Sequence, residues 1–171
     1  MGLYFCIVFY INVCSFFDIN DLRSKRLAVE DGYKKSKMIE YTEIFLRLVL
    51  SVVFGGLIGL EREIVHRPAG VRTHMLVCLG SALFILVTIQ TLPEEAAKIV
   101  AGIATGVGFL GAGTIFKAKT EVHGLTTAAS IWAVAAVGLA VGLGYYLMTI
   151  IAVVLVLIVL QLNKLEFFKR L

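Results

Sequence analysis

The sequence predicts an all-α, polytopic membrane protein, a compact bundle of five transmembrane helices joined by short loops. Hydrophobic residues make up 59% of the 171 residues and charged residues only 16%. Soluble domains contain about 45–50% apolar and about 25% charged residues, so this balance indicates a membrane protein. Five apolar stretches reach or approach the roughly 17–25 residues with which a helix crosses a bilayer. The connections between them are short, which makes consecutive helices antiparallel neighbours.

The five predicted spans cover most of the chain after residue 38. Only helices satisfy the backbone of such segments in hydrocarbon. The sequence from 38 to 171 is therefore predicted to be one transmembrane domain that ends just after its last span, without a soluble C-terminal domain. The predicted spans are 42–60, 71–92, 96–116, 125–143 and 145–162.

The basic residues predict the orientation of the bundle in the membrane. They lie in the first and third loops and in the tail, and loops rich in Lys and Arg stay in the cytoplasm. The N-terminus is therefore predicted outside and the C-terminus inside, with Glu95 and Lys98 as outer-side charges. Because the net charge of +4 is spread between apolar segments, no nucleic-acid partner is expected. The loop and tail cations are Arg62, Arg67, Arg72, Lys117, Lys119, Lys164, Lys169 and Arg170.

The segment 1–37 does not fit this orientation. Residues 1–17 are apolar but short, and they lack the basic region of a signal peptide. Residues 18–37 then carry six cations that the orientation places on the wrong side. Either translation starts at Met38 and the segment is a mis-assigned extension, or it contains a poorly formed sixth span.

The stretch GVGFLGAGTIF at 106–116 contains G-x-G-x-x-G, the fingerprint of a dinucleotide-binding loop. That fingerprint needs a preceding strand and a later acidic residue, and this sequence has neither, so a nucleotide site is not expected. Glycines at this spacing favour close helix packing, with the third helix central to the bundle. Local unwinding beside a binding cavity is the alternative. The predicted packing glycines are Gly55, Gly59, Gly102, Gly106, Gly108, Gly111 and Gly113.

Charged residues mark both ends of the first span. Arg47, Ser51, Gly55, Gly59 and Glu63 are each four residues apart and so share one helical face. The sequence GLERE adds Glu61 and Arg62, and Arg72 and His74 are the candidate partners for Glu61 or Glu63. Two interpretations are open: an ion-pair network that fixes helix ends, or a cytoplasm-facing ion site. Glu61 and Glu63 are weak candidates for Mg²⁺ ligands, because three nearby arginines disfavour a cation.

The fourth span begins with LTTAASIW, which places Thr126, Thr127 and Ser130 within one turn. These hydroxyls either cross-link helices or line a polar cavity. Trp132 lies too deep for an interfacial aromatic belt and is predicted to pack in the core. No nucleophile–base pair stands out, so neither an enzyme nor a cofactor is expected.

Four motifs in order resemble the MgtC/SapB (YhiD) family of bacterial inner-membrane proteins. They are GLIGLERE, AGVRTHMLV, GVGFLGAGTIF and VHGLTTAASIWAVAAVG, between about residues 48 and 138. The family is typically a five-span bundle, which agrees with the span count. By resemblance, the signature positions are Glu61, Arg62, Gly70, Arg72, Thr73, Gly106, Phe109, Gly111, Gly113, Gly124, Thr126 and Thr127.

The resemblance implies a role in growth at low magnesium, with Mg²⁺ as a ligand or a signal. The family's pathogen members resemble regulators of other membrane proteins, including ATP synthase, and cation transporters are further candidate partners. This chain departs from the family before the third span, where PEEAAK replaces an Asp-Pro-x-Arg-like segment. Lys98 cannot make the bidentate contact of an arginine.

Two functions from different classes follow. The protein is expected to regulate other membrane proteins in magnesium homeostasis or acid-stress adaptation. The alternative is a transporter of Mg²⁺ or another ion that works as a homodimer. Its polar site, in a cavity among the first four spans, would consist of Glu61, Arg62, Arg72, Thr73, Thr126 and Thr127.

Overall fold

Five α-helices and one short β-hairpin make up the computed structural model, which describes residues 40–118 and 121–162. The predicted start at Met38 and the N-terminal segment lie outside the described residues. A 3₁₀ turn (Pro93–Glu95) precedes the third helix. The helices are α1 (Tyr41–Ile64), α2 (Val71–Thr91), α3 (Ala96–Ala112), α4 (Leu125–Gly142) and α5 (Tyr146–Gln161), and the strands are β1 (Phe116–Ala118) and β2 (Glu121–His123).

The predicted helical bundle is confirmed, with one refinement in length. Within the described residues, four helical segments are long and apolar enough to cross a membrane, whereas the apolar α5 has only 16 residues. The α1–α2 connection (65–70) and the β-hairpin lie at one end of the bundle, called the hairpin end. The α2–α3 and α4–α5 turns lie at the other, called the turn end.

Glycines on α1 let α2 pack directly against its backbone. A Cβ atom on Gly55 would lie 2.7 Å from the carbonyl oxygen of His74, and one on Gly59 would lie 2.6 Å from the Cα of Val71. Both distances are too short for any side chain. The four-residue spacing seen in the sequence therefore corresponds to a close crossing of α1 and α2.

A second glycine pair brings α4 against the other side of α2. A Cβ on Gly138 would lie 2.2 Å from the carbonyl oxygen of Cys78, and one on Gly142 would lie 2.4 Å from Ile85. With α1 and α4 packed on α2, the buried core lies among α1, α2, α4 and α5. Its apolar residues are Ile58, Cys78, Val134, Val137, Val153 and Leu160.

The third helix is peripheral, and the prediction that it is central is wrong. Gly111, which packs on Ala128 of α4, is the single buried residue of α3. A Cβ on Gly102, Gly106 or Gly108 would meet no atom within 4 Å. The central position belongs instead to α2, because α1 and α4 carry the glycines that actually meet it. Gly113 approaches only the backbone of its own helix.

The third helix also ends four residues before the predicted boundary. Thr114 donates hydrogen bonds to the carbonyl of Gly111 from both its amide and its hydroxyl, which closes a turn after Ala112. The chain then forms an antiparallel hairpin in which Phe116 pairs with His123. Sequence reasoning had placed only a loop here.

Trp132 does not pack in the core, contrary to prediction. Its side chain is 53% exposed on the outer surface of α4. The neighbouring Ile131 and Val134 are buried instead. An apolar side chain deep in a span can face lipid as readily as protein. The residue type alone therefore did not show which of these environments Trp132 occupies.

Candidate functional site

Glu61 and Arg62 form a buried ion pair at the hairpin end of α1. The Arg62 Nε atom donates a hydrogen bond of 2.5 Å to the Glu61 Oε2 atom. Arg62 is only 2% exposed, and its Nη2 atom also makes a long contact of 3.5 Å with the carbonyl oxygen of Leu160. Leu160 lies in the last turn of α5, where backbone carbonyls lack helical donors. The pair therefore joins α1 to the C-terminus of α5.

The second oxygen of Glu61 has no partner. Oε1 is buried and accepts no hydrogen bond from any described residue. Buried polar atoms normally have a hydrogen-bond partner, so a buried carboxylate oxygen without one can still bind a further group.

Glu63 serves a different purpose. Its Oε2 atom accepts a hydrogen bond of 2.9 Å from the backbone amide of Val71, the first residue of α2. A carboxylate there satisfies one free amide and interacts well with the helix dipole. A Cβ on Gly70 would lie 2.7 Å from the same oxygen, so a side chain there would displace the carboxylate from the amide.

The structure does not bring Glu61 and Glu63 together as metal ligands. One carboxylate pairs with an arginine, and the other caps a helix. No group of three or more His, Cys, Asp or Glu side chains suited to a metal occurs in the part of the chain that the structure describes.

His74 occupies the centre of the hairpin end and is fully buried. Its Nδ1 atom lies 2.9 Å from the carbonyl oxygen of Gly70, and its Nε2 atom lies 3.1 Å from the hydroxyl of Ser130. Ser130 in turn donates to the carbonyl oxygen of Thr127 at 2.8 Å. This series of contacts, called the His74 chain, links the start of α2 to the first turns of α4.

The remaining predicted site residues do not all lie beside the Glu61–Arg62 pair and the His74 chain. Arg72 and Thr126 are exposed, and Thr73 is half-buried. Thr127 is buried, but it enters the His74 chain through its carbonyl oxygen. The six residues predicted as one polar site therefore divide into a buried part and a surface part.

At the turn end, Arg47 is the buried cation. It donates a hydrogen bond of 2.6 Å to the carbonyl oxygen of Gly142 and pairs with Glu43 one turn earlier on α1. Glu95 and Lys98 also pair with each other, with a 2.7 Å contact between exposed side chains.

An apolar groove separates α2 from α3. It has a volume of about 410 Å³ and is open on one side. Gly80, Gly102 and Gly106 form part of its walls, and Ser81 and Lys98 are its polar lining residues. Phe84 and Ile103 are among the apolar side chains that complete it.

Comparison with known proteins identifies the family. The model of the MgtC family matches residues 48–167, which include all four motifs, the buried ion pair and the His74 chain. The chain belongs to the MgtC family.

Curated MgtC-family relatives match the same region. "Putative magnesium transporter YhiD" of Escherichia coli K12 is 40% identical over 128 residues, which cover 70% of this chain and 60% of that protein. "Protein MgtC" of Salmonella typhimurium LT2 is 42% identical over 112 residues, 66% of this chain and 48% of that protein. An uncharacterized protein of Haemophilus influenzae is 37% identical over 133 residues. This MgtC-family chain spans about half to three fifths of the length of these relatives. No solved structure matched it.

Sequence reasoning named Glu61 and Arg62 as site residues of this MgtC-family chain but expected Arg72 or His74 as the partner of Glu61, which pairs with Arg62 instead. His74 was considered only as a partner for Glu61 or Glu63, and Ser130 only as one hydroxyl among three. One signal was available: His74 follows the helix-starting Gly70 by four residues. Its ring nitrogen can therefore reach back to the carbonyl of that residue, which also accepts from the His74 amide.

Proposed function

We propose that this MgtC-family membrane protein is a regulator that binds another membrane protein laterally through α3, in magnesium homeostasis or acid-stress adaptation. The observation that carries this proposal is the open glycine face of α3. Gly102 and Gly106 lie one turn apart, and a Cβ atom on either would meet no atom within 4 Å.

The exposed surfaces of the other helices differ from this face. α1 and α2 present large apolar side chains outward, including Phe45, Val53 and Leu83. Such side chains suit contact with lipid, whereas small residues are typical of contacts between transmembrane helices. The glycine face and the adjoining groove therefore favour a partner helix. A second copy of this chain fits that description, and ATP synthase or a cation transporter is suggested by family resemblance.

The buried polar groups support a regulator over a transporter. Arg47 and Arg62 are each engaged by a carboxylate and a backbone carbonyl. The groove beside α3 is lined mainly by apolar side chains. Ion conduction needs a continuous series of polar groups or water along the path, and the polar residues of a single protomer do not supply one across its described part.

Two matched glycine substitutions test the regulator. Gly106→Leu places a large side chain on the groove side of α3, and Gly108→Leu makes the same change on the adjacent open face. Neither residue has an atom within 4 Å of its Cβ position, so both variants should fold. Growth at low magnesium of a strain that depends on this protein is then measured, together with protein abundance in the membrane.

We expect Gly106→Leu to lose most of the growth at unchanged abundance and Gly108→Leu to retain it. Full growth with both variants would contradict a partner on the Gly102–Gly106 face. Loss of abundance with Gly106→Leu alone would mean that the glycine is needed for folding rather than for a partner.

The second candidate function is ion transport by a homodimer. Two observations favour it: the free Oε1 atom of Glu61, and the name of the Escherichia coli relative, which describes a magnesium transporter. Entry of Mg²⁺ into liposomes containing the purified full chain, read by an internal dye, tests it. Flux that is lost with Glu61→Gln while the protein remains folded would establish transport. If the folded protein gives no flux, the regulator remains as the proposed function.

A further inference from the structure

The His74 chain begins and ends on atoms that can only accept hydrogen bonds. At one end is the carbonyl oxygen of Gly70, 2.9 Å from Nδ1, and at the other is the carbonyl oxygen of Thr127, 2.8 Å from the Ser130 hydroxyl. Between them, Nε2 and the hydroxyl oxygen lie 3.1 Å apart. All three distances are within the normal range for hydrogen bonds.

Three contacts of this kind require three hydrogens. A neutral imidazole carries one hydrogen and a serine hydroxyl carries one, so a neutral His74 chain holds two. If Nδ1 donates to Gly70 and Ser130 donates to Thr127, two lone pairs face each other between Nε2 and the hydroxyl. If Ser130 turns to Nε2 instead, its contact with Thr127 loses its hydrogen.

One more proton completes the chain. With both ring nitrogens protonated, Nδ1 donates to Gly70, Nε2 donates to Ser130, and Ser130 donates to Thr127. Every contact then has a hydrogen and an acceptor without any movement of the heavy atoms. Hydrogen bonds from a charged donor are also shorter and stronger than neutral ones.

The charged groups of α1 that act on the ring are those of the Glu61–Arg62 ion pair. His74 is fully buried, which disfavours a charged ring. The Arg62 guanidinium disfavours a charged ring and the Glu61 carboxylate favours one, and the Oε1 atom of Glu61 accepts no hydrogen bond from any described residue. The facing helix α4 has no titratable residue in its sequence, and Cys78 is the next titratable residue along α2.

We propose that the His74 chain is a proton-binding site. Uptake of a proton by the ring in acid fixes all three hydrogen bonds and ties the start of α2 to the first turns of α4. Release of that proton removes one of the three bonds and loosens the link. This site is separate from the α3 face and does not depend on the function proposed for that face.

The experiment is a pH titration of the histidine rings by ¹⁵N NMR, with the full chain in liposomes and ¹⁵N-labelled histidine. The chain has three histidines, and the exposed His66 provides an internal reference. The variants His66→Asn and His123→Asn each remove one histidine ring, and the signals that disappear are assigned to that residue. Spectra between pH 8 and pH 4.5 then show whether each ring carries one hydrogen or two.

We expect His74 to pass from one ring hydrogen to two within this range, with both nitrogens hydrogen-bonded in the acid form. Ser130→Ala removes the acceptor for Nε2 and should weaken proton binding by about ten-fold or more, the equivalent of one charged hydrogen bond. Ser81→Ala is the matched control, because Ser81 is a buried serine of α2 outside the His74 chain. It should leave the titration of His74 unchanged.

Two results would overturn the proposal. One is a His74 ring that keeps a single hydrogen down to pH 4.5 while His66 gains its second. The other is an equal effect of Ser130→Ala and Ser81→Ala, which would assign the titration to general packing. If Ser130→Ala does not fold, Ser130→Thr keeps the hydroxyl, and the wild-type spectrum still decides the first point.

Discussion

Arg47 of α1 donates a hydrogen bond of 2.6 Å to the carbonyl oxygen of Gly142, the last residue of α4. A guanidinium at a helix C-terminus satisfies a carbonyl that has no helical donor and interacts favourably with the helix dipole. Gly144 makes room for it: with φ of +83°, its Cβ would lie 2.8 Å from the Arg47 Nη2 atom. One buried arginine thus fixes the α4–α5 turn to the start of α1.

Replacing Arg47 should weaken the turn end. Arg47→Met keeps much of the side-chain volume but removes the hydrogen bond to Gly142, and hydrogen bonds to charged groups contribute about 1.5–3 kcal/mol. We expect the free energy of unfolding to fall by about 2 kcal/mol, measured by SDS titration and circular dichroism. Arg72→Met is the control, because Arg72 is exposed and should change stability little. Equal losses would show that the Gly142 contact contributes nothing specific.

Gly138 should tolerate no side chain. Its Cβ would lie 2.2 Å from the carbonyl oxygen of Cys78, so Gly138→Ala forces α4 away from α2. Overpacking of this kind costs about 1–3 kcal/mol, and backbone contact leaves little room for relaxation. Gly80→Ala is the matched control in α2, since its Cβ meets no atom within 4 Å. Thermal unfolding in detergent should show a lower midpoint for Gly138→Ala and an unchanged or higher one for Gly80→Ala.

The Glu61–Arg62 pair should show strong coupling. Removing one partner of a buried ion pair strands the other charge and costs about 3–5 kcal/mol, whereas removing both is often much less harmful. We therefore expect Glu61→Leu and Arg62→Met each to destabilise the protein more than the double variant does. A double-mutant cycle on unfolding free energies measures this coupling. Additive losses in the cycle would place the two side chains in separate roles.

Hydrophobic stretches predicted the helices well because burial in hydrocarbon leaves few choices for a long apolar segment. All five predicted starts lie within one residue of the observed helix starts, and the starts at 71, 96 and 125 coincide with them. The end of α3 was misplaced because Ile115 and Phe116 are apolar enough to extend a helix. The chain instead forms a hydrogen-bonded turn at Thr114, and the β-hairpin follows it.

Partners of the polar residues were harder to predict. The sequence showed that Arg47 and Glu63 mark the ends of the first span. It did not show that Arg47 donates to a backbone carbonyl of α4 or that Glu63 accepts from a backbone amide of α2. Such contacts depend on which carbonyls and amides are left free at helix ends, and therefore on the exact boundaries of neighbouring helices. The His74 chain was missed because two of its acceptors are backbone carbonyls, which the sequence pattern does not single out.

Glycines posed a different difficulty. Spacing alone identified Gly102 and Gly106 as readily as Gly55 and Gly59, yet only the second pair meets another helix in the structure. The spacing of the glycines shows that a helix face lacks side chains. It does not show which neighbouring helix packs against that face. Gly138 has the same i, i+4 relation to Gly142 and was overlooked.

Trp132 offers a direct test of which side of α4 faces lipid. It is the single tryptophan of the chain, and its side chain is 53% exposed near the middle of α4. If that surface is in contact with lipid, lipids brominated along their acyl chains should quench most of its fluorescence in liposomes. The water-soluble quencher iodide should have little effect, because the indole lies within the apolar part of the span. The emission maximum should be blue-shifted for the same reason. Weak quenching by brominated lipid together with blue emission would mean that protein covers Trp132 in the membrane, and α4 would then join α3 as a surface for a partner.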